Sequence, residues 1–438
     1  MRIILCSTAI NALGETFTLA SFAKELEASG NMCYFIAPKL GHDYLLTFGF
    51  EESQILLLKR GIEKDNKTIN LDSNYSVFKE FVKKVNPELV IVADWHHYKL
   101  NGLSNNASYS IYWFDDNIHI VTFDHLGFAP NGRKVEFNKI LSQDTTELNS
   151  DTTKRDFIPL SDRYCNIIRP CPHHKNTISQ YDNIFYWGIY KDILQKEKSS
   201  KHMRHNFAGS KIIFQPIGFW QERVFRAMLG RLNLNYDYYF ETMIPIMLYY
   251  LTKFDENFTY ILISESISQI KEYKQENTNV VLLPPQKHSE FMNYLNIADL
   301  FLTDNLMSSN LSKAVFNNIP SLTLRNSIYT NNELVLNSSF NITQKVRNYI
   351  SPMIESNMLF PYYSFPLGLC ELEDMYQDNN FSDCFDISEL YDELGCTKIL
   401  GNILFDKTHI ATQLDNQSNY IRQNQKLMSA NEIINAIL

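Results

Sequence analysis

The sequence predicts an α/β protein built from two doubly wound domains, each a parallel sheet with helices on both faces. Short apolar strands alternate with amphipathic helices over the first 125 residues and again from residue 211 to 325, the signature of βαβ units. The chain has 438 residues, more than one ordinary core accommodates. A polar, Lys-rich stretch from Lys191 to Lys211 lies between the two runs and reads as an interdomain linker. The expected domains are 1–200 and 205–405, followed by a helical segment over 406–438.

The elements follow in order. Apolar residues 2–6 form the first strand, Ser7 to Glu15 a turn, and Thr16 to Ala28 an amphipathic helix that Gly30 closes. Met32 to Ala37 is the second strand. Tyr44 to Phe50 reads as a helix, Gln54 to Leu58 as the third strand, Val77 to Val85 as a helix and Glu88 to Ala93 as the fourth strand. Tyr109 to Phe114 and Ile118 to Phe123 read as further strands, and about 140–165 as a polar surface loop. Lys211 opens the second domain, and Tyr260 to Ser264 continues it. Residues 280–325 then read strand, helix from His288, strand from Ile297 to Asp304, Ser-rich turn, helix, Pro320, strand. Residues 330–400 are rich in aromatic residues and Asn and fit no pattern. The tail from Tyr420 has helical spacing.

Composition narrows the function. Hydrophobic residues at 45% and charged residues at 20% describe a globular chain. The net charge is -9, and the 40 basic residues are scattered among 49 acidic ones. Nucleic acid is therefore not an expected partner, because phosphate neutralisation needs a basic footprint. Seven cysteines, an odd number without a framework, point to reduced thiols and a cytoplasmic location. Cys165, Cys171 and His173-His174 lack zinc spacing, so no metal site is expected. The N-terminal strand does not resemble a signal peptide, and nothing approaches the roughly 20 apolar residues of a membrane span. There is no P-loop, G-x-S-x-G elbow or G-x-G-x-x-G fingerprint, and no convincing Asp-x-Asp for a metal-bound nucleotide sugar. No cofactor is expected.

Ligands of open parallel sheets bind at the carboxyl ends of the strands. Asp94, Trp95, His96 and His97 follow the fourth strand, and Asp124 and His125 follow a later one. Each His is a base or a ligand contact in one reading, and a satisfied loop residue in the other. Ser308, Ser309 and Asn310 open a helix after the strand ending at Asp304. Free N–H groups and the helix dipole there suit a phosphate, although Ser308 is also an ordinary N-cap.

The run Ile297-Ala-Asp-Leu-Phe-Leu302, the turn and helix Asn305 to Lys313, and the entry Asn318-Ile-Pro320 resemble the donor-binding half of B-fold glycosyltransferases. The type is the murein-precursor and UDP-glycosyl transferases, which have two Rossmann-like domains. The match covers about a tenth of the chain closely. It implies a GT-B-like fold, an interdomain cleft and a last helix that packs back on the N-terminal domain. It also implies metal-independent transfer of a sugar from a nucleotide-activated donor to a small-molecule acceptor. The turn Ser7 to Thr16 takes the place of that family's Gly-Gly-His loop, and Glu15 falls where the family has a catalytic His. A carboxylate can deprotonate an acceptor hydroxyl, or simply favour the helix dipole. His96 and Asp124 join Glu15 as candidate catalytic groups, with Asp94, Trp95, His97 and His125 as acceptor contacts. Trp220 and Gln221, after the first strand of the second domain, stand near the family's donor-phosphate loop. Trp220 would stack on a base or sugar, unless it is a core residue. His288, Ser308, Ser309 and Asn310 complete the donor set. Lys313 departs from the family, which has an acidic ribose-binding residue in that place, and Lys cannot accept hydrogen bonds from ribose hydroxyls. A sugar-nucleotide epimerase and a non-catalytic binding protein are the alternatives on the same scaffold. A homodimer is one arrangement the sequence leaves open.

Overall fold

The structure is a computed structural model. It describes residues 1–7, 13–64, 67–94, 108–125, 134–137, 153–156, 160–170, 183–189, 200–207, 209–231, 236–266, 274–275, 277–330, 336–359, 361–362, 364, 376 and 379–438. The chain divides into two compact units. The first comprises Met1–Lys134, Asp156–Lys191 and Arg422–Leu438, and the second Val135–Arg155 and Asp192–Ile421.

In the first unit, seven strands form one sheet: β1 (Arg2–Cys6), β2 (Met32–Pro38), β3 (Ile55–Leu58), β4 (Leu89–Val92), β5 (His119–Phe123), β6 (Asn166–Pro170) and β7 (Ile184–Trp187). Their order is β7-β6-β5-β4-β1-β2-β3, and every pairing is parallel. The direction of winding reverses between β1 and β4, which makes that junction the switch point of a doubly wound sheet. β1 and β4 are apolar and buried almost throughout, as strands covered on both faces must be. Helix α1 (Gly14–Ala28) ends in a Schellman turn. Gly30 adopts φ +85, its N–H bonds Glu27 O, and Asn31 N–H bonds Leu26 O.

Three expectations for this unit are corrected. Tyr109 to Phe114 is not a strand but surrounds a 3₁₀ turn, Ile111–Trp113. The Ser110 hydroxyl caps the turn by accepting from Tyr112 N, and Ile111 and Phe114, three apart, point inward while Tyr112 is exposed. The helix expected at Tyr44 to Phe50 is α2 (Lys39–Thr47). It starts at the end of β2, and Gly49, at φ +94, lies just past its end. The helix expected from Val77 begins six residues earlier, as α3 (Leu71–Val85).

In the second unit the main sheet holds β8 (Lys211–Pro216), β9 (Phe258–Ile263), β10 (Lys274–Gln275), β11 (Thr278–Leu283), β12 (Leu300–Thr303), β13 (Ser321–Arg325) and β14 (Asp386–Glu389). Their order is β10-β11-β9-β8-β12-β13-β14. Six strands are parallel, and the two-residue β10 runs antiparallel on the edge. The winding reverses between β8 and β12. The helices used below are α4 (Phe219–Arg231), α5 (Ile244–Leu251), α6 (His288–Ile297), α7 (Ser309–Phe316), α8 (Gln344–Glu355), α9 (Glu393–Phe405), α10 (Lys407–Asn424) and α11 (Ala430–Ile437). The core packs Tyr238, Met247, Tyr250 and Tyr260 against Leu300, Leu322, Ile350 and Leu400. Tyr238 pairs with Tyr362 at 3.0 Å and Tyr391 at 3.3 Å, and Tyr250 donates to Leu390 O at 2.9 Å, so these hydroxyls are satisfied in a dry interior.

α11 belongs to the first unit. Ser429 and Glu432 form a capping box at its start. The α1 residue Glu25 accepts from Ala430 N at 2.8 Å and from Trp187 Nε1 at 3.2 Å. Trp187 is fully buried and packs edge-on against Phe22. No helix among the described residues is long and apolar enough to cross a membrane.

Candidate functional site

In the second unit the carboxyl ends of β8 and β12 lie side by side at the switch point. β8 leads through Gly218 into α4, which puts Trp220 and Gln221 in its first turn. β12 leads through Asp304 and Asn305 to Ser308 and α7. The two turns are tied by a buried polar cluster. Gln221 Nε2 donates to Asp304 Oδ1 and to the Tyr239 hydroxyl, both at 3.1 Å, and Tyr239 donates to Asp304 Oδ2 at 3.0 Å. Asn305 Nδ2 donates to Gln221 Oε1 at 3.4 Å, and Ser364 donates to Asn305 Oδ1 at 2.6 Å. Burial pushes the Asp304 carboxyl up to about 6, against the opposing pull of the Tyr239 and Gln221 hydrogen bonds. A β-carbon at Gly218 would lie 2.5 Å from Gln221 Oε1, so glycine lets the Gln221 side chain lie over the backbone here. Tyr239 opens a π-helical turn, Tyr239–Met243, an irregularity often found at functional sites.

A second acid borders this cluster. Burial raises the Glu222 carboxyl to about 7, although it accepts from the Ser264 hydroxyl and from Glu265 N. Glu222, Arg226, Tyr236, Asp237 and the Tyr239 ring line a cavity of about 10 Å³, room for a single water.

Trp220 is half-buried, and Gln221 is 2% exposed and committed to Asp304. Ser308 caps α7, its Oγ accepting from Asn310 N at 3.1 Å. Ser308, Ser309 and Asn310 are half-buried. Lys313, one turn along, is 5% exposed; its amine donates to Asn310 Oδ1 at 3.2 Å and lies 5.2 Å from the Phe291 ring centre. Burial lowers Lys313 to about 7. His288, half-buried in the first turn of α6, is lowered to about 3 by burial and then by the Lys313 charge.

In the first unit, Asp94 is buried just past β4, and its neighbour Ala93 bonds Cys6 O. His125 lies past β5 with Nε2 3.1 Å from Ala93 O. Asp124, 1% exposed, pairs with Arg169 Nε at 3.2 Å, and Arg169 also reaches the Tyr186 hydroxyl at 3.3 Å. Asp124 is thus held as one half of a buried ion pair. Glu15 is half-buried in the first turn of α1. Ser7 and Thr16 share a buried hydrogen bond of 2.8 Å across the β1 turn. Trp95, His96 and His97 lie outside the described residues. The sheet therefore gathers Asp94, Asp124 and His125 on the neighbouring strand ends β4 and β5, with Glu15 on the helix that follows β1. Among the described residues, no group of three or more His, Cys, Asp or Glu is arranged to hold a metal ion.

Four members of the buried cluster, Asp304, Tyr239, Asn305 and Ser364, are absent from the candidates that the sequence offers. Asp304 carries the same signal as Asp94 and Asp124, an acid directly after an apolar strand. Tyr239 carries none, because the π-turn that aims it has no sequence signature.

The profile of a family described as "Family of unknown function (DUF6365)" matches residues 22–438. No curated protein matches the chain. Among solved structures, the spinosyn forosaminyltransferase SpnP is similar at TM-score 0.52 and 12% identity, over 99% of this chain and 97% of that one. A Listeria monocytogenes protein described as a putative UDP-N-acetylglucosamine 2-epimerase is similar at TM-score 0.50 and 10% identity, over 94% and 91%. At such identities the likeness establishes the fold, which is that of GT-B glycosyltransferases with two Rossmann-like domains.

Proposed function

The chain belongs to that family of unknown function, and for it we propose glycosyl transfer: a sugar passes from a nucleotide-activated donor to a hydroxyl of a small-molecule acceptor. The observation that carries this reading is the switch point of the second unit. There the Gly218–Gln221 turn and the Ser308–Asn310 turn meet at adjacent strand ends, the place where open α/β sheets take their ligands. Trp220 would stack on the base or sugar. The N–H groups at the start of α7 would receive the diphosphate as it leaves, stabilising its charge without a required metal. On the acceptor side, Glu15, Asp94, His96 and His125 are the groups proposed to orient the hydroxyl and take its proton. Asp124, held by Arg169, would position that set rather than act as its base.

The test is a thermal-shift screen of the full chain against UDP, TDP, GDP, ADP and CDP and their sugars. A ligand at a hundredfold excess over Kd adds about 2.7 kcal/mol to native stability. A selective shift that Ser309→Trp abolishes supports the reading, and no shift with any nucleotide overturns it. The epimerase reading shares the fold; consumption of a sugar nucleotide without any acceptor would favour it over transfer.

A further inference from the structure

Glu222 stands in the first turn of α4 beside Trp220 and Gln221, yet the transfer chemistry above does not use it. Gln221 reaches Asp304 past β12, whereas Glu222 reaches the loop past β9. Ser264 Oγ bonds Glu222 Oε1, and Glu265 N donates to Oε2 at 2.9 Å. Two arginines of the same helix hold the same loop. Arg223 grips the Glu265 carboxylate with Nε at 2.7 Å and Nη2 at 2.6 Å, and Arg226 donates to the Ser266 hydroxyl. Three side chains of α4 thus hold three consecutive loop residues, Ser264, Glu265 and Ser266.

Both oxygens of the Glu222 carboxyl are engaged, and the residue is 4% exposed. Among the described residues, the charged and titratable groups that face it come from three elements. Arg223 and Arg226 belong to its own helix, Glu265 to the loop, and Tyr236, Asp237 and Tyr239 to the segment that leads into the π-helical turn. Glu265 engages Arg223, which leaves Arg226 to face two acids, Glu222 and Asp237. A charge on Glu222 is opposed by burial and by Asp237. The network accepts a proton without rearrangement. A protonated Oε1 donates to Ser264 Oγ, which also accepts from Ser266 N at 2.9 Å, while Oε2 goes on accepting from Glu265 N. The cavity beside Glu222 has room for one water.

We propose that Glu222 and Ser264 form a proton-sensitive latch between the first turn of α4 and the loop after β9, closed while Glu222 carries a proton and loosened when the proton leaves. The proton passes to and from solvent through the cavity, and no other bond changes. The lift of the carboxyl from its ordinary 4.5 to about 7 agrees with this. A proton binds more tightly to the closed latch than to the open one. Closure is therefore strongest below about 4.5 and is lost as pH rises through about 7. Ionised Glu222 draws in water, and the loop is then held by Arg223 and Arg226 alone. Trp220 and Gln221 share the turn that Glu222 anchors, so the latch sets how firmly that turn is held. It needs no ligand, and it stands or falls separately from the transfer reading.

The test is hydrogen exchange of the full chain at pH 6 and pH 8, read at single amides by mass spectrometry with electron-transfer fragmentation. The reporters are the Glu265 and Ser266 amides, which bond Glu222 Oε2 and Ser264 Oγ. E222Q carries the donor and acceptor pattern of the protonated acid and cannot ionise. Exchange in the native protein relative to E222Q should rise about tenfold between pH 6 and pH 8, while the same ratio at the α9 amides stays constant. A ratio at Glu265 and Ser266 that does not change with pH overturns the latch. A rise shared equally by the α9 amides also overturns it, because it reports unfolding of the whole unit. D237N is the second variant should E222Q unfold. Without the Asp237 charge, Glu222 loses its proton at lower pH, so exchange should rise less from pH 6 to pH 8 than in the native protein. An equal rise in the two overturns the latch.

Discussion

Replacing Asp304 by Asn changes one charge inside the second unit and little else in volume. The native carboxyl is buried and lifted to about 6 from its ordinary 3.8. A group lifted on folding binds protons more tightly in the native state. Its cost to stability is absent below the unfolded value and complete above the folded one. Two pK units correspond to about 3 kcal/mol once both states are ionised. A neutral amide in its place would carry no such cost. It would lose one of the two good acceptors that Tyr239 and Gln221 now use, worth about 1 kcal/mol. The expected result is a variant about 0.5 kcal/mol less stable than the native protein at pH 4, and about 2 kcal/mol more stable at pH 8. The assay is urea unfolding read by pulse labelling of cysteines and mass spectrometry. The buried thiols Cys384 and Cys396 report the second unit, and Cys6 and Cys33 the first, so each unit gives its own transition. Comparing variant with native protein at each pH cancels the pH dependence of labelling. A difference that is the same at pH 4 and pH 8 refutes the reasoning, because it means that the Asp304 charge is not opposed by its surroundings.

Three further outcomes follow from the packing. Gly218→Ala drives a methyl into Gln221 Oε1 and forces that side chain off Asp304, so a loss of about 1–3 kcal/mol is expected in the Cys384 and Cys396 transition alone. Arg169→Met leaves Asp124 buried without its cation, at a cost of about 3–5 kcal/mol to the first unit; the double variant with Asp124→Leu should recover most of it, and failure to recover would mean that the pair's geometry is needed for more than charge balance. Glu25→Ala removes the acceptor of both Trp187 Nε1 and Ala430 N. It should cost about 1–3 kcal/mol and speed proteolysis within 422–438 ahead of any other segment.

The parts of the fold that read directly from the chain are those where one local pattern suffices. Leu300–Leu302 is a continuous apolar run, and Pro320 with Asn318, at φ +53, marks the entry to the next strand. Ser308 is an N-cap by residue type and acts as one. Other parts depend on partners distant in sequence. β14 reads Asp-Ile-Ser-Glu, which no strand pattern selects, and it is a strand because β13 pairs with it. The Tyr109 to Phe114 segment has strand-like composition, but its apolar residues sit three apart and Ser110 caps them. The candidate site shows the same division. Residues at strand ends are legible, whereas what holds each one is not. Gln221 reads as a ligand contact in the sequence, yet Asp304 and Tyr239, 83 and 18 residues away, engage it. Asp124 reads as a base, yet Arg169 closes on it.

The first unit is assembled from three separated stretches, the last of them Arg422–Leu438. A ribosome delivers the chain from its N-terminus, and domains made of contiguous sequence close as soon as they emerge. Here the order is inverted. The second unit, drawn mainly from Asp192–Ile421, is complete before the first can be. Until α11 emerges, the nascent protein carries Trp187 and the Glu25 carboxylate without the Ala430 amide that joins them. Completion of the first unit thus waits for the emergence of Arg422–Leu438, and chains stalled before that segment would present an open N-terminal sheet to chaperones and proteases.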